Sequence, residues 1–225
     1  MKKGQTFKNF IIKLSNSLSD LVMLNAIFIV FSIAVVTIPA AITALFRTTY
    51  SLISGEDSGC NSLDSETVQS GSGPVGFGTL FRKFKQCFTS NFLSSSIIGL
   101  VFSAVIGMCV FILLHIKPEG IGLPITAFTI FSLGAVIIMS IYSHSMISII
   151  HLPVHTVIQN SFRLLFINFK NNMIAVAVIL LLSAVQLFGF PFLVPFLFCF
   201  HFSLAAYFIM LSLKTGIDMC IDENE

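Results

Sequence analysis

His151 and His155 stand four residues apart, the spacing that lets two imidazoles on one helix face share a metal ion, and His144 lies two turns earlier. Pro153 interrupts the helix between the pair, and no Glu, Asp or Cys completes a coordination set. The three are read as interfacial histidines, and no metal or cofactor is assigned. Arg47 ends a long apolar run. A guanidinium there binds an anionic group, pairs with a helix carboxyl end, or reaches the membrane surface as a topology anchor. The anchor is the simpler reading. Asn25, Thr37 and Thr43 lie in the same run and supply groups that join helices in lipid, or that satisfy carbonyls freed by Pro39. Gln186 and His201 are read the same way in the last apolar stretch.

No nucleophile with an accompanying base, no carboxylate pair inside an apolar run and no phosphate loop occur, so no catalytic residue is assigned. All ten acids lie outside the charge-free stretches. That argues against an enzyme, and against a proton- or sodium-coupled carrier with an acid at mid-membrane.

The elements that must hold these residues are membrane helices. Hydrophobic residues make up 56% of the 225, and charged residues 10%. A soluble domain carries about 25% charged residues. Four stretches contain no Asp, Glu, Lys or Arg: 21–46, 86–116, 120–162 and 171–213. A spanning helix takes about 20 apolar residues. The second and third stretches therefore hold one span each, 92–114 and 122–150. The fourth reads as two spans turned at "FGFPFLVP", where Gly189, Pro191 and Pro195 break helix continuity.

Charge decides the first stretch. A single crossing of 21–46 would leave five Lys and Arg residues on one side and seven on the other, with no bias. A turn at Pro39 makes six crossings and puts eleven of the 12 on the cytoplasmic side, leaving only Lys117 outside. The predicted hairpin has legs 21–37 and 40–54, each roughly 22–26 Å long at 1.5 Å per residue. A hydrocarbon core of about 30 Å makes it shallow, tilted or buried in the bundle. One long helix kinked at Pro39 is the alternative.

An amphipathic segment precedes each pair of spans. Phe7, Ile11, Leu14 and Leu18 recur at helical spacing, as do Phe77, Phe81, Phe84 and Phe88, and Ile158, Phe162, Leu165 and Phe169. Lysines and arginines accompany each row, the pattern of a helix lying in the membrane interface. The predicted fold is all-α: a single polytopic membrane bundle over 1–225, of about six spans in three hairpins, each preceded by an interfacial helix. The recurrence suggests a three-fold internal repeat. Residues 55–76, with four acids, no base and many Gly and Ser, read as a flexible cytoplasmic loop, and 216–225 as an acidic tail. Five scattered cysteines, an odd number with no close pair, argue against a disulfide framework. The apolar stretch starting only at Leu21 does not suit a cleaved signal peptide. Dispersed basic residues and a net charge of +2 give no nucleic-acid face. The chain's immediate partner is the lipid bilayer.

"LVMLNAIFIVFSIAVVTIPAAITALFRTTYSLISGE", followed by "FRKFKQCFTSNF", resembles the YesL-type family of bacterial integral membrane proteins, a domain of unknown function. The family pattern has an Asn-containing apolar helix, a "P-x-x-T-x-G-P-A-x-x-A" motif, and an "F-x-x-F-K-x-N-F" segment. Asn25, Thr37, Pro39, Ala40, Ala44, Phe81, Phe84, Lys85, Asn91 and Phe92 occupy its positions here. Val35 replaces the proline ahead of the threonine, Ile38 stands at the glycine position, 55–76 looks like an insertion, and the chain has no Trp. The resemblance covers the first hundred residues; beyond them only hydropathy agrees. With the charge count placing both termini in the cytoplasm, the resemblance implies a multi-pass protein of a bacterial plasma membrane, accessory to or regulating carbohydrate uptake, partnered with a carbohydrate permease or another membrane protein. The competing reading is a small-solute transporter or channel in its own right. A docking role falls on the aromatic row Phe77–Phe81–Phe84–Phe88.

Overall fold

A computed structural model describes residues 2–54, 76–117, 119–149, 153–190, 195 and 197–222. The described residues are helical apart from short connections, with no strand among them. The acidic loop (Gly76 excepted), His151 and the last three residues of the acidic tail lie outside them. The helices are α1 (Lys2–Phe31), α2 (Ile38–Ser54), α3 (Phe77–Ser90), α4 (Phe92–His115), α5 (Gly122–Ile149), α6 (Val154–Ile167), α7 (Phe169–Phe188) and α8 (Phe202–Asp222). A π-helical stretch, Leu197–His201, leads into α8.

Four segments are long and apolar enough to cross a membrane: Val35–Ser54, Phe92–His115, Gly122–Ile149 and Phe169–Phe188. Two shorter apolar helical segments, Ser17–Phe31 and Cys199–Leu213, accompany them. The predicted spans 92–114 and 122–150 therefore match α4 and α5 within a residue.

The first apolar stretch breaks, but not at Pro39. The amphipathic start and the apolar run form one continuous helix, α1, which ends at Phe31. Ala34 is extended, Val35–Thr37 make a 3₁₀ turn, and α2 begins at Ile38. Pro39 sits in the first turn of α2, where its missing N–H removes no intrahelical bond and its fixed φ suits the helix. The proline starts a helix instead of turning one. The break supplies its own hydrogen bonds: Ser32 N–H reaches Phe28 O at 2.9 Å, and Thr37 N–H reaches Ala34 O at 2.9 Å. Thr37 Oγ1 lies 2.6 Å from both Phe31 O and Ala34 O. A backbone interruption in lipid must be satisfied in this way.

α2 is the central element. It contacts α1, α3, α4, α5 and α8, and the segment Val35–Ser54 that contains it is 61% buried over its most apolar part, against 11–22% for the other three long segments. Ala40, Ala41 and Ala44 are fully buried and allow close approach on several sides. The far halves of α4 and α5 present Met108, Phe111, Leu114, Leu123, Phe128 and Phe131 outward instead. Large apolar surface of this extent on helices of spanning length fits lipid contact.

Burial recurs in register along the chain. Leu80, Phe84, Cys87, Ser95 and Ile98 are buried, and so are Val157, Ser161, Leu164, Asn172 and Ala175 at one constant sequence offset. The same offset pairs Asn91 with Asn168, each the single non-helical residue between a 14-residue helix and a long one. Both junctions keep their backbone bonds: Asn91 N–H to Cys87 O and Ser95 N–H to Asn91 O, Asn168 N–H to Leu164 O and Asn172 N–H to Asn168 O. Ser17, Leu21, Asn25 and Phe28 of α1 are buried too, and a second constant offset carries them onto Cys87, Asn91, Ser95 and Ile98.

Candidate functional site

Asn25 joins the two ends of the chain. It is fully buried on α1, and its Oδ1 accepts from the backbone N–H groups of Phe202 at 2.9 Å and Ser203 at 3.0 Å. These are the first two donors of α8, just past the π-helical stretch, where regular pairing is interrupted. Ser203 Oγ in turn donates to Leu21 O at 2.7 Å. Sequence reasoning foresaw Asn25 as a joint between helices; only the folded chain shows that its partner is α8.

Pro39, Gly99 and His144 meet at a second point. A Cβ placed on Gly99 would lie 2.3 Å from Pro39 Cγ, 2.5 Å from Pro39 Cβ and 3.8 Å from His144 Nε2. Glycine is needed because the proline ring occupies the space of a side chain. His144 Nδ1 stands 2.7 Å from Ser140 O and so carries the ring proton, which leaves Nε2 as an acceptor. Nε2 is buried without a hydrogen-bond partner among the described residues, as is the Ser95 hydroxyl one turn before Gly99. Gly99 lies about 10 Å into α4, and His144 about 8 Å from the end of α5, at 1.5 Å per residue. The start of α2 is thus shallow relative to the helices it touches, while Ile33, Val35 and Val36 beside it are 73–79% exposed.

Arg47 is buried on α2 at 8% exposure, enclosed by neighbouring helices and not reaching outward as an anchor. Asp20, the acid adjoining the first apolar run, is buried as well, at 4%. Thr43 is buried and its Oγ1 donates to Pro39 O at 3.1 Å, one turn earlier in its own helix, and not to a carbonyl freed by the proline.

A third polar group surrounds the end of α5, where Tyr142 to Ser148 are seven consecutive buried residues. Tyr142 Oη donates to Asn172 Oδ1 at 2.7 Å and accepts from Asn168 Nδ2 at 2.8 Å. Asn172 Nδ2 donates to Leu165 O at 2.9 Å. Ser143 Oγ donates to Ser161 Oγ at 2.9 Å, which donates to Val157 O at 2.8 Å. Sequence reasoning singled out none of the side chains that make these bonds. The available signal was the "NF" pair at 168–169, which repeats "NF" at 91–92.

The aromatic row of α3 divides between two faces. Phe84 is fully buried, and Phe31 packs on Phe81, Phe84 and Phe88 with ring centroids 5.9, 5.2 and 4.9 Å away. Phe84 is therefore core and not a docking residue. Phe77, Phe81 and Lys85 face outward, and Asn91 is buried at the junction with α4. Cys87 is disulfide-bonded, contrary to the expectation from scattered cysteines, because separation in sequence does not report which thiols the fold brings together. Cys109 and Cys199 are free. His144 is buried and His155 exposed. Among the described residues no three of His, Cys, Asp and Glu group closely enough to hold a metal ion.

Comparison with protein families, curated proteins and solved structures finds no match to this chain.

Proposed function

We propose that this chain is a multi-pass membrane protein acting as an accessory or regulatory component beside another membrane protein, and not as a solute pathway of its own. One observation carries the reading. Asn25 of the first apolar stretch accepts from the backbone at the start of α8, and Ser203 of the last stretch donates back to Leu21 O, so these polar groups are spent on joining the two helices. A carrier of the broken-helix kind keeps such groups for substrate and coupling ions. The association with carbohydrate uptake in a bacterial plasma membrane, and a permease as partner, follow from the YesL-type resemblance of the first hundred residues. No catalytic role is assigned.

The proposed arrangement is six crossings in three hairpins, derived from a three-fold repeat, with both termini cytoplasmic. The recurring buried register supports the repeat, and the interruption between α1 and α2 supports a first hairpin. Introduced cysteines at Glu119 and Phe190 should then be labelled from outside, and those at Ser70 and Asn224 should not. Labelling of Ser70 from outside would overturn the arrangement. The functional reading is tested by purifying the chain in mild detergent and reconstituting it. A co-purifying membrane protein, with no solute flux into liposomes, is the expected result; flux by the chain alone, with no partner, would replace the accessory role with transport.

A further inference from the structure

α3 and α6 are two-faced helices that share one end of the molecule. Their inward rows are Leu80, Phe84 and Cys87, and Val157, Ser161 and Leu164. Gly99 near the start of α4 lies against His144 near the end of α5. The helix leading into α4 and the helix following α5 therefore sit at the same end.

Their outward faces carry a second pattern. On α3, Phe77 and Phe81 are exposed with their rings stacked 6.1 Å apart, and Arg82 and Lys85 are exposed beside them. On α6, Phe162 and Phe166 are exposed with rings 5.2 Å apart, and Arg163 is exposed between them, with Lys170 just beyond. No acid occurs in 77–90 or 154–170. Each helix passes through one asparagine into a segment of spanning length, so the exposed rings lie where a bilayer surface would be. Rings favour the acyl boundary and cations the phosphate layer.

We infer that the outward faces of α3 and α6 together form a binding surface for anionic phospholipid. The inference rests on reading α4 and α7 as membrane spans. A zwitterionic surface would accommodate the rings equally but would offer the exposed Arg82, Lys85 and Lys170 no net negative charge, so the discriminating feature is lipid charge.

The test uses the full chain, delipidated in neutral detergent and titrated with phosphatidylglycerol or phosphatidylcholine, with bound lipid counted by native mass spectrometry. Wild type should prefer phosphatidylglycerol. Each lost cation is expected to weaken that binding roughly fivefold. Arg82→Gln, Lys85→Gln, Arg163→Gln and Lys170→Gln combined should abolish the preference, and Lys117→Gln in the α4–α5 connection should leave it unchanged. Raising salt to about 1 M, where the Debye length is about 3 Å, should erase the preference of the unmodified protein as well. Equal binding of the two lipids by wild type, a preference that survives the four substitutions or the salt, or an equal loss in Lys117→Gln would overturn the inference. So would capture of a soluble acidic protein by these faces without any phosphatidylglycerol preference. Because flux and co-purification do not enter this readout, it can fail while the accessory role stands.

Discussion

Gly99→Ala should loosen the centre of the molecule while the same substitution one helical stretch away is harmless. The added Cβ would sit 2.3 Å from Pro39 Cγ, and a proline ring tied to the backbone of α2 has no rotamer into which to retreat. Relief requires α2 and α4 to move apart. Overpacking of this kind costs about 1–3 kcal/mol. Replacing a helical glycine by alanine also stabilises, by about 0.5–1 kcal/mol. Gly107 on the same helix isolates that term, since nothing stands within 4 Å of its Cβ position. The propensity gain cancels between Gly99→Ala and Gly107→Ala, leaving the steric penalty of about 1–3 kcal/mol as their difference. For a chain of this size each kcal/mol moves the melting temperature by roughly 2–4 °C. Thermal unfolding of both variants in detergent, scored on the monodisperse peak, should separate them accordingly. A double-mutant cycle locates the cause: Pro39→Gly removes both atoms in conflict, so Gly99→Ala should be tolerated better in that background than in wild type. Equal stability of the two alanine variants, or additivity in the cycle, would refute the close contact of α2 with α4.

Asn25→Ala removes the acceptor of two backbone donors at the start of α8, one buried and one partly buried, and at about 1–3 kcal/mol for a buried unsatisfied group it should be a damaging change, visible as early melting. Ser203→Ala removes one bond to Leu21 and should weigh less in the same assay. Tyr142→Phe leaves Asn172 Oδ1 and Asn168 Nδ2 without their shared hydroxyl and should lower stability by about 1–3 kcal/mol, whereas Tyr207→Phe, outside that network, serves as the comparison. Phe84→Ala should cost about 3–5 kcal/mol as a core truncation, and Phe81→Ala, on the outward face, should change the melting temperature little. Equal effects of the two would contradict the division of the α3 row.

Much of the architecture was legible because hydropathy runs and charge placement operate over tens of residues. α4 and α5 follow from charge-free length alone, and the break in the first stretch from the positions of Lys and Arg. What failed was local. Pro39 was assigned the turn because proline interrupts helices, yet the same residue is favoured in a first helical turn, and composition does not distinguish the two positions. The interior polar groups were partly legible. Asn25 carries a bond between helices of the kind anticipated, but Thr37 closes the break after α1 and not a carbonyl freed by Pro39, and burial of Arg47 depends on how many helices enclose α2, which no spacing reveals. Tyr142, Asn168 and Asn172 went unremarked because each residue is ordinary in its own helix, and only their convergence gives them a role. Phe84 and Phe81 show the limit of periodicity: positions three apart share a stripe on a helical wheel, yet the boundary between core and surface runs between them.

The position of α2 sets an order on synthesis. Its residues emerge early, but α4, α5 and α8, three of the helices that enclose it, do not yet exist, and the acceptor on Asn25 waits for donors 177 and 178 residues later. At about 5–20 residues per second that interval is roughly 10–40 s. During it the first unit holds Arg47 and Asn25 without three of the helices that bury them in the finished fold. Chains truncated before Phe202 should therefore be degraded rapidly, even though every earlier helix is intact.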